Sequence, residues 1–379
     1  MNEMQTPSRW IWQKPDWPAF TWRDAQLASL LREINRLQGK LLGSAGAIEG
    51  SGSLPSEMDA LLQNAVNTSA IEGELLNVDS VRSSLARRLG MDRAGLPPGT
   101  PQTEGLADLL LDATRNPQQG LTEERLFNWH KSLFPSGESV LFAIRVGELR
   151  GDEPMQVVSG PIGRRIVHFE APPRQGLETE LLVFIDWFNR TQDEADLDPV
   201  LRAGIAHLWF VTLHPFDDGN GRLARAITDL ALAQAEHKSV RFYAMAATIM
   251  ENRKAYYEIL EKTQRDGMDV TPWLEWFLVM LKQAMQVAER RIEHVLQKAK
   301  FWQRHVQAFL SERQIKVLNR LLDAGPAGFE GGLNARKYMG LTNVSKATAT
   351  RDLTDLVEKG CLVQRSGGGR STSYDINWP

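Results

Sequence analysis

The sequence predicts a mainly α-helical protein of more than one domain, with a β-hairpin near its middle and a small helical domain closed by a second hairpin at its end. Three observations carry this. At 379 residues the chain is too long for one ordinary core. Apolar residues recur at helical spacing through most of it, while β-branched runs flanking Gly-rich turns are confined to two short places. A Gly-Asn-Gly turn at 219–221 stands directly before the Ala- and Leu-rich run 223–235, which reads as a helix.

Composition narrows the class. Hydrophobic content of 42% and charged content of 24% describe a globular chain. A net charge of −3 gives no global drive toward nucleic acid or anionic membrane, so any basic surface must be local. Cys361 is the single cysteine, which excludes an internal disulfide and fits a reducing compartment. The first residues carry no apolar core of signal-peptide length, and no run reaches the ~18 apolar residues of a membrane helix. A cytoplasmic protein without membrane association is expected.

Taken in order, residues 1–55 open with Trp10, Trp12, Trp17 and Trp22, interrupted by Pro15 and Pro18. They form an expected extended arm, followed by a helix over 24–42. Such an arm straps onto a helical core more often than it cages a ligand. Residues 43–56 are small and read as a linker. A helix follows over 58–73, where Thr68 and Glu72 share a face and Gly73 stops it. The passage 75–120, with Pro97, Pro98 and Pro101, reads as loop-rich with a short helix over 106–113. Residues 121–134 make an amphipathic helix in which His130 packs. Gly147-Glu148-Leu149-Arg150 leads to a hairpin over 156–169, turning at Ser159-Gly160-Pro161-Ile162-Gly163.

Helices over 178–191 and 199–211 run into His214-Pro215-Phe216-Asp217-Asp218-Gly219-Asn220-Gly221-Arg222-Leu223-Ala224-Arg225. The turn lies at a helix N-terminus, where free N–H groups and the helix dipole favour an anion, and its glycines let the backbone approach that anion. Arg222 and Arg225, at i and i+3, share one face and can meet phosphate oxygens. Asp218 is a hard oxygen ligand suited to Mg²⁺ between phosphates, and His214 a base facing them. His207, seven residues earlier, shares a face with His214; a core or supporting role outweighs a metal pair because no third ligand is near. Phe216 is the apolar pin of the loop.

A helix is expected from Glu251 to Gln264, with Tyr256 and Tyr257 on it, then one or two long helices over 270–309. From 305 to 379 the pattern is SERQIKVLNRLL, LNARKYMGL and SKATATRDLTDLVEKG, then the Gly-tipped hairpin CLVQRSGGGRSTSYDIN. Three helices and a hairpin look like a winged helix-turn-helix. Ser345 is its expected N-cap. Lys346, Thr348, Thr350 and Arg351, with Arg370 by the wing, are candidates for DNA contact. Asp352, Asp355 and Glu358 are expected to dilute that charge, so a structural or protein-contact role stays open beside DNA binding.

The stretch 214–225 resembles the signature of Fic proteins, H-P-F-x-[D/E]-G-N-G-R-x-x-R, with every specified position matched. The resemblance implies a Fic helical core over 56–300 between the arm and the winged helix. It implies adenylyl transfer from ATP to a Ser, Thr or Tyr hydroxyl of a target protein. His214 would be the catalytic base and Asp218 the Mg²⁺ ligand; Gly219, Asn220, Gly221, Arg222, Leu223, Ala224 and Arg225 would bind nucleotide. Tyr257 and Gln264 match residues at the adenine end. Thr68-Ser69-Ala70-Ile71-Glu72-Gly73 resembles the family's inhibitory motif [S/T]-x-x-x-E-[G/N], which sets a glutamate, here Glu72, against the second signature arginine. A second AIEG at 47–50 lacks the hydroxyl, since Ala45 stands four residues before Glu49. The hairpin over 156–169 resembles the flap on which a target segment docks. Related proteins often dimerise. Other transfers by a Fic enzyme, removal of AMP at the same site, and a nucleotide-sensing DNA-binding regulator are the competing functions.

Overall fold

The computed structural model describes residues 9–46, 53–91, 95–137, 143–160, 164–236, 242–325, 329–366 and 372–379. The chain divides into two compact units, Met1–Glu289 and Arg290–Pro379. The arm expected as a separate 1–55 segment belongs to the first unit, and the division falls inside a helix.

The first unit begins with α1 (Asp24–Gly46) and α2 (Ser53–Ile71), so the linker expected over 43–56 is helical at both ends. The second AIEG lies outside the described residues. Two helices, α3 (Val78–Arg88) and α4 (Pro101–Arg115), replace most of the expected loop over 75–120. Asn77 caps α3 by accepting the Ser80 amide at 2.9 Å. Pro101 opens α4 rather than breaking it, because the first turn needs no donor there. Next come α5 (Glu123–Leu133), the antiparallel pair β1 (Gln156–Ser159) and β2 (Ile166–Glu170), α6 (Leu177–Arg190), α7 (Pro199–Leu213) and α8 (Asn220–Glu236). A short helix not expected from the sequence, α9 (Met245–Glu251), meets at Asn252 the helix expected over Glu251–Gln264, α10 (Arg253–Arg265). Residues 270–309 give one long helix, α11 (Thr271–Arg304).

Helix α7 is the axis of this unit. Every residue from Val200 to Leu213 is buried, so it is apolar all round as a central helix must be. Gly204 lets α11 approach: the Trp273 indole donates to the Gly204 carbonyl at 2.8 Å, and a Cβ at 204 would press on Leu274 and Phe277. Helix α2 is fastened along its length, by Glu57 to Arg115 of α4 at 2.8 Å and by the Asn64 amide to Asp229 of α8 at 2.6 Å. The arm straps on as its tryptophans predict, though residues 11–13 make a 3-10 turn. Trp17 packs edge-on to Trp209, 6.1 Å between centroids, and Trp10 to Phe169 of β2 at 5.4 Å. Trp22 bonds locally, to Asp24.

The second unit holds α12 (Glu312–Ala324), α13 (Ala335–Thr342), α14 (Lys346–Glu358) and the antiparallel pair β3 (Leu362–Gln364) and β4 (Tyr374–Ile376). Its core includes Val317, Leu318, Tyr338, Leu353, Leu356 and Leu362. Three helices are followed by a two-stranded antiparallel hairpin, the order of elements read from the sequence. The hairpin tip, with Arg370, lies outside the described residues.

Candidate active site

The loop between α7 and α8 is pinned from within. His214 ends α7 in the left-handed region, φ 49° and ψ 56°, and Pro215 prevents the helix from continuing. A non-glycine residue there costs about 1–2 kcal/mol, so the surroundings must hold it. Phe216 is fully buried and stacks on His130 of α5, centroids 4.3 Å apart. The Asn220 side chain clamps Phe216 from both sides, accepting its amide at 3.0 Å and donating to its carbonyl at 2.8 Å. That side chain is therefore spent inside the loop and leaves only backbone for an anion. Asp218 accepts the Gly219 amide at 2.6 Å. Helix α8 starts at Asn220, earlier than the expected 223, so the Gly-Asn-Gly turn forms its first residues.

Leu223 and Ala224, expected in the nucleotide set, turn their side chains into the core. Both are fully buried, and the Leu223 amide is already given to the Gly219 carbonyl at 3.0 Å. They are core positions.

The arginines are buried and occupied. Arg225 donates from Nε to the Thr68 hydroxyl at 2.7 Å, and from Nη2 to the Thr68 carbonyl at 2.9 Å and to Glu72 at 2.7 Å. Arg222 donates from Nη1 to Glu74 at 2.8 Å, with its guanidinium over the Phe134 ring. Arg222 Nε and Arg225 Nη1 are buried without a partner. Gly221 explains the fit: a Cβ there would run into the Glu72 carboxylate and lie 3.2 Å from Arg225 Nη1.

The His214 ring is set by its neighbours. His214 Nδ1 lies 3.1 Å from the Val211 carbonyl. A carbonyl only accepts, so Nδ1 carries the proton and Nε2 keeps its lone pair. Burial holds the imidazole below its usual pKa, opposed by the Val211 bond and reinforced by the Arg150 cation. Arg150, buried, donates from Nε to the His214 carbonyl at 2.9 Å and from Nη2 to the Pro172 carbonyl, while its amide donates to the Pro215 carbonyl at 3.0 Å. Gly147-Glu148-Leu149-Arg150 stood out in the sequence, but nothing in its spacing announced a buried arginine holding the loop.

His130 packs as expected and does more. It accepts the Gly147 amide on Nδ1 at 3.0 Å and donates from Nε2 to the Asp218 carbonyl at 3.1 Å. Burial lowers its pKa to about 4, so it stays neutral. His207 is a core residue in a directed chain. Thr228 gives its hydroxyl proton to the Ala224 carbonyl, so it accepts from His207 Nδ1, and His207 Nε2 accepts from the Tyr256 hydroxyl at 2.8 Å. Among the described residues no group of three or more His, Cys, Asp or Glu could hold a metal.

A cavity of about 970 Å³ has Glu72, His214, Gly221, Tyr257 and Gln264 in its walls, with flap residues 156–159 and His168 opposite. The Tyr257 hydroxyl donates to the Ile71 carbonyl at 3.2 Å, and the Gln264 amide to the Thr212 hydroxyl at 3.2 Å. The structure thus gathers His214, Glu72, Tyr257 and Gln264 around one space. Arg222 and Arg225 stand behind Glu74 and Glu72 and are absent from its walls. The flap is a bulged two-stranded ribbon, marginal alone. Trp12 donates to the Glu170 carbonyl at 2.7 Å, and His168 bonds Glu261 of α10 at 2.7 Å.

On α14, Lys346, Thr350 and Arg351 are exposed. Thr348 instead serves the helix start, its amide and hydroxyl both bonded to Ser345. Asp352 does not dilute the outer face as expected, whereas Asp355 is partly exposed and Glu358 exposed. Asp352 is buried against Arg313 and the Tyr338 hydroxyl, and Asp355 pairs with Lys359 and Gln314.

This is a helical domain with a Gly-Asn-Gly turn at the N-terminus of α8 and a histidine with a buried ring at the end of α7. Residues 120–232 match the Fic/DOC family, so this part of the chain is a Fic/DOC domain. Residues 10–91 match a domain of unknown function, DUF4172. Protein adenylyltransferase Fic of Nematostella vectensis is 26% identical over 236 residues, 60% of this chain and 49% of that protein. The Drosophila willistoni protein of the same name is 25% identical over 248 residues, 65% of this chain and 45% of that protein. The chain spans about half the length of these curated relatives. A crystal structure of a Fic family protein from Desulfovibrio desulfuricans G20 shares the fold, with TM-score 0.55 and 19% identity over 95% of this chain and 98% of that one. A Fic domain containing signaling protein from Bacteroides thetaiotaomicron VPI-5482 matches with TM-score 0.50 and 18% identity, over 68% and 97%. No helix among the described residues is long and apolar enough to cross a membrane.

Proposed function

We propose that the chain transfers AMP from ATP to a hydroxyl of a target protein and that Glu72 restrains it. The observation that carries this is the joint placement of His214 Nε2, free to accept a proton, and the Gly221 nest in one cavity. In the reaction the target oxygen attacks the α-phosphorus and His214 Nε2 takes its proton. The bond to the bridging oxygen breaks and pyrophosphate leaves. The amides at the start of α8 receive phosphate oxygens, and Arg222 and Arg225 hold the outer phosphates once their carboxylates are displaced. Asp218, whose carboxylate accepts the Gly219 amide beside the turn, would hold Mg²⁺, which when bound would neutralise phosphate charge. Tyr257 and Gln264 border the adenine end. The flap offers an exposed strand edge to an extended target segment.

Relatives named protein adenylyltransferases support the chemistry. The test is mass spectrometry of the protein after incubation with ATP and Mg²⁺. An AMP adduct on the Glu72→Gly variant, absent when His214→Ala is added, supports the reading; a phosphate adduct or none sinks it.

For the second unit we propose DNA contact through Lys346, Thr350 and Arg351. The observation favouring it is the burial of Asp352 against Arg313, which leaves the outward face of the first turns of α14, with Lys346, Thr350 and Arg351, basic and polar. Gel shifts with genomic fragments, with and without ATP, test it. A cytoplasmic setting accords with these substrates.

A further inference from the structure

The brake read from the sequence accounts for one arginine of the signature. The other is occupied as well. Arg222 Nη1 lies 2.8 Å from a Glu74 carboxylate oxygen, with the two side chains only 7% and 13% exposed. A pair so shielded competes with a ligand far more effectively than a surface pair. The rest of the Arg222 guanidinium faces the Phe134 ring, and its Nε is buried without a partner. Glu74 is held from its other side by the Gln102 amide, in the first turn of α4.

Both carboxylates come from one tight turn. Helix α2 ends at Ile71, Gly73 adopts φ 86°, and the amides of Glu72 and Glu74 both return to the Ser69 carbonyl at 3.0 Å. Glu72 and Glu74 thus flank a left-handed glycine and meet two arginines one helical turn apart on α8. We propose that Glu74 is a second carboxylate of the brake: outer phosphates must displace Glu74 from Arg222 as well as Glu72 from Arg225, and residues 72–74 leave together. The proposal rests on the nucleotide reading of this site. It implies that removing Glu72 alone relieves part of the inhibition, because Arg222 stays neutralised.

The test is calorimetric titration with α,β-methylene-ATP and Mg²⁺, which cannot transfer AMP. The full chain is compared with Glu72→Gln, Glu74→Gln and the double variant, and adenosine serves as a ligand without phosphates. Glu74→Gln should tighten α,β-methylene-ATP about tenfold in the Glu72→Gln background and leave adenosine unchanged. Equal or weaker binding after Glu74→Gln, with Glu72→Gln still tightening, would overturn the second carboxylate while sparing the nucleotide reading; it would mean that Glu74 merely orients Arg222. Equal tightening for adenosine would also overturn it, as general opening of the pocket. No binding by any variant would sink the nucleotide reading and the proposal with it.

Discussion

The Glu72 carboxylate accepts from Arg225 Nη2 at 2.7 Å and stands in the space that a side chain at Gly221 would fill. One carboxylate therefore occupies both an arginine and the mouth of the nest. A charge-assisted bond of this kind contributes about 1.5–3 kcal/mol. Glu72→Gly should then raise self-labelling from radiolabelled ATP by roughly ten- to a hundredfold. Unchanged labelling would mean that Glu72 does not restrain the site.

His214 is held with Nδ1 protonated and with its pKa lowered by burial. It therefore remains an unprotonated base at pH values where an ordinary histidine, with pKa about 6.5, begins to charge. In the Glu72→Gly background the acid limb of the labelling rate should fall below that value. His214→Ala should reduce labelling by about 10²–10⁴-fold while ATP binding, read by calorimetry, persists. A full rate in His214→Ala would remove the base from the mechanism.

The legible parts of this chain were those written in adjacent residues. The stretch 214–225 and the 68–73 motif lie in single local segments, and the fold brings Glu72 onto Arg225 as the resemblance implies. The three helices and closing hairpin of the second unit were legible from periodicity and a Gly-rich turn. What escaped depends on contacts across elements. Arg150 looks like any surface arginine until its partners prove to be carbonyls of 172 and 214. Asp352 and Asp355 look like surface charge until Arg313 and Lys359 are seen to meet them. Pro101 was read as a loop signal although a proline is equally at home in a helix's first turn. Leu223 and Ala224 sit inside a signature but point to the core.

Arg150 reaches the cavity wall, yet its hydrogen bonds go to backbone carbonyls, so it should act chiefly on the base. Its donation to the His214 carbonyl holds a left-handed residue in place, and its cation lowers the imidazole pKa. Arg150→Met should slow labelling in the Glu72→Gly background by roughly tenfold or more and shift the acid limb to higher pH. The Kd for ATP should stay within about twofold. If ATP affinity fell in parallel with rate, the residue would be acting on the whole pocket.

The basic face of α14 makes a prediction about salt. If Lys346 and Arg351 meet phosphates, replacing either with Ala should weaken DNA binding across all sequences and lower the slope of log K against log salt by about 1. Asp352→Asn should instead lower the melting temperature, because Asp352 holds Arg313 and the buried Tyr338 hydroxyl. DNA binding insensitive to both Lys346 and Arg351 would remove this face as the contact surface.

His207 ties stability to acid. Burial lowers its pKa to about 3, and both ring nitrogens are engaged in a chain that needs the neutral ring. In the unfolded chain the group titrates near the ordinary value of about 6.5. Between those values the unfolded state binds a proton that the folded state refuses. Stability from the neutral ring is thus complete above pH ~6.5 and is lost as pH falls toward 3. At pH ~4.5 the loss amounts to about 2–3 kcal/mol if the folded ring is still neutral. His207→Asn cannot titrate there, so its denaturant midpoint should be lower at pH 7 and fall less steeply with acid. A parallel decline in variant and parent would place the acid sensitivity in other groups.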